Sequence, residues 1–260
     1  MTTPAKLPGT AASTGAVADP ARMYDYVLGG TRHRDADRDA VDRALRADPD
    51  AALGAVADRE FLRRAVRFCL DEGVDQFLDL GSGLPTAGGV VPTAQAADPR
   101  ARVLCVDHDP DTAEAARALL SGTAGADALA ADLRDPVAVL GAAAELLDLD
   151  RPVAVFAVAV LHHIDVPAPS VVAGYREALA PGSLLALTHR TDDEVPPTGP
   201  APWDDAAGPR SRAEVRALFD GFALVPPGVV RPAQWRPAPG RPATVPPELS
   251  RSWAGVGRRA

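Results

Sequence analysis

The stretch that decides the fold runs from Gln76 to Thr86 and reads QFLDLGSGLPT. Its first five residues form a mainly apolar run of the length expected for a buried strand. Gly81 and Gly83 follow at once, and glycines let the backbone turn tightly and approach a ligand that a Cβ would push away. A single G-x-G pair also occurs in simple turns, so the surrounding segments decide its meaning.

Strand-like and helix-like blocks alternate on both sides of this stretch, which predicts an α/β fold with a doubly wound, mostly parallel, Rossmann-like sheet. The predicted strands are Gln76–Leu80, Arg102–Asp107, Ala126–Ala131, Val153–Val160, Ser183–Thr188 and Phe222–Val225. The predicted helices between them are Val91–Ala97, Asp111–Leu120, Val137–Leu147, Ser170–Ala180 and Arg212–Phe219.

The two ends of the chain differ from this alternating middle. Residues 1–19 lack periodicity and predict a disordered leader, and residues 20–75 predict a helical cap with helices at Ala21–Leu28 and Arg59–Glu72. The sheet domain is assigned to residues 76–237, with a mobile, proline-rich insertion at Thr191–Pro209. Residues 238–260 predict a proline-rich tail.

Composition narrows the classes of function. The 260 residues carry a formal net charge of −8, which argues against nucleic-acid binding because that needs clustered cations. The longest apolar run, residues 152–161, is about half of the ~20 residues needed to span a bilayer. With two isolated cysteines and no signal segment, a cytoplasmic protein without membrane attachment is expected.

An acidic residue just ahead of the glycines separates two possible cofactors. A dinucleotide-binding loop would carry its third glycine at position 86, where this chain has Thr86. Asp79 would repel a pyrophosphate but could receive a cationic α-amino group. The pattern therefore favours S-adenosylmethionine over NAD, with an NAD(P)-dependent oxidoreductase as an alternative.

Two more carboxylates close successive strands. Asp107 ends the second strand at the distance expected for a residue that binds both ribose hydroxyls, while Asp109 beside it suits a helix cap. Asp132 ends the third strand, where it could accept the adenine amino group while Leu133 covers the ring. Taken singly, either carboxylate could be a surface residue, but three at successive strand ends predict one binding crevice.

Histidines follow the fourth and fifth predicted strands. His162, His163 and His189 could each act as a general base, since an unperturbed imidazole titrates near neutrality. Stacking, loop hydrogen bonding or helix entry would explain each of them more simply. No third ligand accompanies the His162-His163 pair, so no metal site is predicted.

Four segments together resemble the actinobacterial S-adenosyl methyltransferase family, long known only as a domain of unknown function. They are ARMYDYVLGG (21–30), FLRRAVRF (61–68), QFLDLGSGLPT (76–86) and PRSRAEV (209–215), and the resemblance extends from Pro20 to Pro237. It implies a class I methyltransferase fold with a seven-stranded sheet, S-adenosylmethionine as cofactor and an unassigned methyl acceptor.

The resemblance also implies roles for individual positions. Asp79, Gly81 and Gly83 would contact the methionine portion of the cofactor, Asp107 the ribose and Asp132 the adenine, with Ser82, His108, Leu133 and Val160 beside them. Met23, Tyr26, Gly29 and Gly30 would belong to a lid over the cofactor, or to a helix that only seals the core. Where similar sequences often carry an Asp/His-Asn-aromatic run, this chain has Arg32-His33-Arg34, which leaves contacts from those positions in doubt.

The expected reaction is transfer of a methyl group to an oxygen, nitrogen or carbon nucleophile of a small molecule. The acceptor would bind between the lid, the loop after the fourth strand and the insertion. Alignment could supply most of the acceleration, so a dedicated base is not required. The main alternative is a protein that binds S-adenosylmethionine or S-adenosylhomocysteine without turnover.

Overall fold

The computed structural model describes residues 18–86, 88–193, 208–238, 240 and 242–260. Its helices are α1 (Pro20–Val27), α2 (Asp35–Ala47), α3 (Leu53–Asp71), α4 (Val90–Ala97), α5 (Pro110–Leu120), α6 (Pro136–Ala143), α7 (Ala168–Ala178) and α8 (Arg212–Ala217). Its strands are β1 (Gln76–Leu80), β2 (Arg102–Asp107), β3 (Ala126–Ala130), β4 (Ala154–Ala157), β5 (Leu184–Arg190), β6 (Phe222–Leu224) and β7 (Ser252–Arg259).

The strands form one seven-stranded sheet in the order β3-β2-β1-β4-β5-β7-β6. β1 to β5 run parallel, while β7 lies antiparallel between β5 and β6. Because the chain runs outward from β1 through β2 to β3 and then returns to β4, the strand order reverses between β1 and β4. Ligands of such sheets bind outside the carboxyl ends of the strands at this reversal.

Two apolar clusters fill the two faces of the sheet. One includes Phe77 and Phe156 with Phe61 of α3, and the other includes Leu78 and Val155 with residues of α6 and α7. β1 is buried along its whole length, as expected for a central parallel strand covered on both faces. The predicted doubly wound sheet is confirmed.

The predicted tail is wrong for its last residues, because Ser252–Arg259 form β7. β7 is mostly buried and pairs with β5 over seven residues, from Leu184 opposite Arg258 to Arg190 opposite Ser252. Gly255 and Gly257 weaken its local strand signal. The side chains of Phe219 and Phe222 occupy the space that a Cβ on Gly257 would need, so the glycines serve packing that the local sequence does not reveal.

Other boundaries also differ from those expected. α2 was not predicted because its sequence is highly charged, and α3 begins at Leu53 instead of Arg59. The predicted strand Val153–Val160 ends at Ala157, since the backbone turns at Ala159, which has a φ of 55°. No helix of the described ranges is long and apolar enough to cross a membrane.

Candidate functional site

The loop after β1 is held against the end of the neighbouring strand β2. The amide of Ser82 donates to the Val106 carbonyl at 3.0 Å, and the amide of Gly83 donates to Asp107 Oδ2 at 3.0 Å. Gly81 and Gly83 have φ values of +65° and +58°, which glycine adopts without strain. The predicted glycine turn is therefore present, and it is fastened to the end of β2.

The structure gives Gly81 a packing role, while its predicted close approach to a ligand stays a prediction. A Cβ placed on Gly81 would lie 2.2 Å from Cγ2 of Val160. Val160 reaches this position because Ala159 adopts a left-handed conformation and donates its amide to Thr188 Oγ1 at 2.9 Å. Val160 thus packs on the glycine loop, and the predicted site residues Gly81 and Val160 are in contact.

Asp79 is the one charged residue of β1 (QFLDL) and is only 7% exposed. Burial raises the pKa of its carboxyl to about 7, and the nearby Asp107 raises it further while Arg59 lowers it. A buried carboxyl without a close cation resists ionisation. The site therefore holds a carboxyl group whose charge would be stabilised by an incoming cation.

Asp107 lies at the end of β2, one strand away from Asp79. Its Oδ2 accepts the Gly83 amide, and its Oδ1 accepts the Asp109 amide at 3.1 Å. These bonds fix the carboxylate while leaving one lone pair free on each oxygen. His108 Nδ1 lies 3.5 Å from Asp107 Oδ1, but the imidazole itself is exposed.

Asp132 and Leu133 are placed less favourably for binding. Asp132 follows β3 and pairs with Arg134, whose Nε donates to Oδ2 at 2.8 Å and whose guanidinium also binds Asp165. The hydrogen bonds from Arg134 lower the pKa of Asp132. Leu133 is buried in the core, and its carbonyl accepts the Tyr175 hydroxyl at 2.9 Å.

α1 covers the crevice between the glycine loop and the end of β2. A Cβ on Gly83 would lie 3.4 Å from the Cβ of Ala21. At the start of the helix, the Asp19 carboxyl caps α1 through the Arg22 amide at 2.9 Å and lies beside Asp109, the cap of α5. The first turn of α1 thus contacts both the glycine loop and the start of α5, and its role as a lid stays a prediction.

The predicted lid residues do not all face the crevice. The Tyr26 hydroxyl donates to Asp42 Oδ1 of α2 at 3.1 Å. A Cβ on Gly30 would overlap the carboxylate of Asp25, so a glycine at this position leaves room for the buried Asp25 side chain at the end of α1. Gly29 is exposed. Met23 is buried at 2% exposure.

The turn between α1 and α2 contains Arg32-His33-Arg34, the segment in which this chain differs from similar sequences. The Arg32 amide donates to Asp25 Oδ2 at 2.7 Å, and His33 Nδ1 lies 3.7 Å from the same oxygen. The His33 ring also packs 4.6 Å from that of Tyr26, measured between centroids. These positions therefore stabilise the junction of α1 and α2.

The three histidines lie together, His162 and His163 after β4 and His189 near the end of β5. The ring of buried His162 is 4.2 Å from that of half-buried His163 and 5.5 Å from that of His189. His189 Nδ1 donates to the Arg190 carbonyl at 2.8 Å, which leaves Nε2 to accept from Arg210. Burial lowers the pKa of His162 and lowers that of His189 to about 4, so both imidazoles are neutral.

Two residues near Asp79 were missed by the sequence analysis. Arg59 of α3 and Tyr24 of α1 stack on each other, with the Arg59 Cζ 5.3 Å from the Tyr24 ring centroid. Arg59 shares a helix face with Leu62, Val66 and Cys69, all buried. A charged residue at an apolar position of an amphipathic helix was the available signal.

The described ranges contain no group of three or more His, Cys, Asp or Glu side chains that could hold a metal ion. The site is thus built from buried carboxyls, backbone amides and one buried arginine, all within reach of the β1 and β2 carboxyl ends. This combination suits an organic ligand with both a cationic group and hydroxyl groups.

Comparison with known proteins agrees with this interpretation. The chain is similar, at 37% identity over 94% of its length and 95% of the other chain, to a Thermobifida fusca protein provisionally described as a methyltransferase, with a TM-score of 0.83. It is also similar to a DUF574 family protein from Streptomyces avermitilis, at 32% identity over 94% and 98% of the two chains, with a TM-score of 0.85.

A more distant structure shares the fold alone. It is a SAM-dependent methyltransferase from Aquifex aeolicus, with 16% identity over 78% of this chain and 93% of that one, and a TM-score of 0.51. No curated protein matches the chain. The model of the S-adenosyl methyltransferase family matches residues 11–260. With its seven-stranded sheet and this match over nearly its whole length, the chain belongs to the S-adenosyl methyltransferase family.

Proposed function

We propose that the crevice above β1 and β2 binds S-adenosylmethionine and that the chain transfers the methyl group to a small molecule. The observation that carries the proposal is that two carboxyl groups lie at neighbouring strand ends. Asp79 is buried, and the Asp107 carboxylate is fixed by the Gly83 amide at 3.0 Å. The cofactor supplies a methyl group already activated on a sulfonium. The residues of the chain then have to bind the cofactor and the acceptor, orient them and exclude water.

Asp79 is the proposed partner of the cofactor's α-ammonium group. An ammonium beside this carboxyl would stabilise its ionised form, which burial alone disfavours. The resulting charge-assisted hydrogen bond is stronger than one between neutral groups. Binding and ionisation of Asp79 are therefore coupled, because each favours the other.

Asp107 is the proposed partner of the two ribose hydroxyls. Each of its oxygens already accepts one backbone amide and can accept one further donor. Ser82 and His108 flank this position, and α1 closes it from above. Asp132 and Leu133 are proposed to lie at the adenine end, where Arg134 already binds the Asp132 carboxylate and competes with the adenine amino group for it.

The acceptor is proposed to bind between α1 and the loop after β4. His163 is the proposed acceptor-facing imidazole, since His162 is buried behind it and His189 is fixed by Arg190 and Arg210. A neutral imidazole can accept a proton from a hydroxyl or ammonium acceptor. The net charge of −8 supports a small acceptor over a nucleic acid.

Native mass spectrometry of the purified chain tests the binding proposal. After addition of S-adenosylhomocysteine, we expect a complex of one ligand per chain, which Asp79→Asn and Asp107→Ala should weaken. Asp111→Asn, an exposed carboxylate in the first turn of α5, is the matched control and should bind normally. Absence of any complex at excess ligand would reject the proposal, while tight binding without methyl transfer to any acceptor tested would favour a non-catalytic binding protein.

A further inference from the structure

Arg59 is a buried cation that the proposed function has not used. Its side chain extends from α3 towards the loop after β1, and the residue is only 8% exposed. A Cβ on Gly89 would lie 2.9 Å from Arg59 Nη1, so this side chain lies against the loop. It also affects Asp79 electrostatically, which places it at the same crevice.

The hydrogen bonding of Arg59 is incomplete. Its buried Nε has no hydrogen-bond partner in the described part of the chain. Among those same residues it forms no ion pair within 4.0 Å, and its contact with Tyr24, which combines stacking with a side-chain hydrogen bond, supplies no negative charge. Removing a guanidinium from water without an anionic partner is costly, so such a group is expected at a place where an anion binds.

The carboxyls nearest to Arg59 do not neutralise it. Asp58, its neighbour on α3, hydrogen-bonds to Ser252 Oγ at 3.3 Å and interacts with Thr188. Asp79 lies at the end of β1, and burial outweighs the influence of Arg59 on both carboxyls. The Arg59 guanidinium and the Asp79 carboxyl are therefore both buried at this crevice, but they form no ion pair within 4.0 Å of each other.

We propose that Arg59 binds the α-carboxylate of the cofactor's methionine portion while Asp79 binds its α-ammonium. The inference rests on the proposed function, since it concerns the same crevice. An α-amino acid end carries one positive and one negative charge, and this site offers one acceptor and one donor group of opposite sign. The planar guanidinium can hold a carboxylate through two parallel hydrogen bonds.

This role makes Arg59 a specificity residue for ligands with an intact amino acid end. A nucleoside without that end would still reach Asp107 but would leave the guanidinium without its anion. Tyr24, brought by α1, provides the surface on which the guanidinium lies. The helical cap thus helps to position the group that recognises the cofactor.

Calorimetric titration with two probes tests the inference. S-adenosylhomocysteine carries the carboxylate, and 5′-methylthioadenosine lacks the whole amino acid end. We expect Arg59→Met to weaken S-adenosylhomocysteine binding by about 10- to 100-fold, as for loss of a charge-assisted hydrogen bond, with little change for methylthioadenosine. Arg67→Met is the matched control, since Arg67 lies on an exposed part of the same helix, and it should change neither affinity.

The outcomes separate the two levels of the proposal. Unchanged binding of S-adenosylhomocysteine by Arg59→Met would overturn the inference, and so would an equal loss for both probes, which indicates damage to the site. If the wild-type chain binds neither probe, the proposed function itself fails. Arg59→Gln, which keeps amide donors, replaces Arg59→Met if thermal unfolding shows that the latter does not fold, and the same pattern is expected for it.

Discussion

Replacement of Gly81 by alanine should destabilise the chain through a defined clash. The φ of +65° at Gly81 costs an alanine about 1–2 kcal/mol. The new Cβ would lie 2.2 Å from Cγ2 and 2.8 Å from Cβ of Val160, an overlap that adds about 1–3 kcal/mol. The free energy of unfolding should therefore fall by roughly 2–5 kcal/mol in Gly81→Ala.

A matched control separates the two contributions. Gly122 has a φ of +82° and no atom within 4 Å of its Cβ position, so Gly122→Ala should show the backbone cost alone. In the double variant Gly81→Ala with Val160→Ala, the 2.2 Å overlap with Cγ2 is removed, while the 2.8 Å approach to the Cβ of residue 160 remains. The two substitutions should therefore show a favourable coupling of about 1–3 kcal/mol in a double-mutant cycle.

Urea unfolding followed by tryptophan fluorescence measures these differences, since Trp235 and Trp253 are both buried. We expect Gly81→Ala to cost clearly more than Gly122→Ala and Val160→Ala to relieve part of the excess. Equal costs for the two alanine substitutions, or an additive cycle, would show that Val160 does not determine the glycine at position 81.

The remaining predictions concern the charged groups and the lid. Because burial raises the Asp79 pKa to about 7, the folded state holds a proton that the unfolded state loses near its ordinary pKa of 3.8. The Asp79 contribution to the unfolding free energy of the ligand-free chain should fall as the pH rises from about 4 to 7, and Asp79→Asn should abolish that contribution. Asp58 acts in the same direction, whereas His162 and His189, whose pKa values burial lowers, act in the opposite one, so the difference between wild type and variant is the quantity to measure. Asp107→Ala should weaken S-adenosylhomocysteine binding by about 1–3 kcal/mol, and Asp132→Ala by less, because Arg134 already occupies Asp132. Deletion of residues 1–30 should weaken binding, whereas deletion of residues 1–17 should not, because only the first removes α1.

Each of these expectations has an opposing outcome. A pH dependence of unfolding that is identical in wild type and Asp79→Asn would remove Asp79 as its source. If calorimetry shows that Asp132→Ala loses more affinity for S-adenosylhomocysteine than Asp107→Ala does, the assigned order of the two carboxylates is reversed. Equal ligand affinity of the two truncated chains would show that α1 seals the core without acting as a lid.

The sheet could be predicted where the local sequence and the tertiary environment agree. β1 and β2 have the expected bounds, because each contains the apolar residues that a central parallel strand buries on both faces of the sheet. β7 was missed because its glycines depend on Phe219 and Phe222, which lie elsewhere in the chain. α2 was missed because a charged sequence can form a helix when only a few residues, such as Val41, are buried.

The candidate site shows the same division. Asp79 and Asp107 could be placed at one sheet edge, because parallel strand ends meet there. The sequence could not show that Tyr26 turns towards Asp42 while Tyr24 stacks on Arg59, since that depends on how α1 packs against α2 and α3. The occupation of Asp132 by Arg134 depends on a side-chain conformation and was equally hidden.

A crystal structure of the chain with S-adenosylhomocysteine tests the central claim most directly. We expect the ribose hydroxyls within hydrogen-bond distance of the Asp107 carboxylate and the α-amino group beside Asp79, beneath α1. A nucleoside bound away from the carboxyl ends of β1 and β2, with Asp79 and Asp107 making no contact to the ligand, would contradict it.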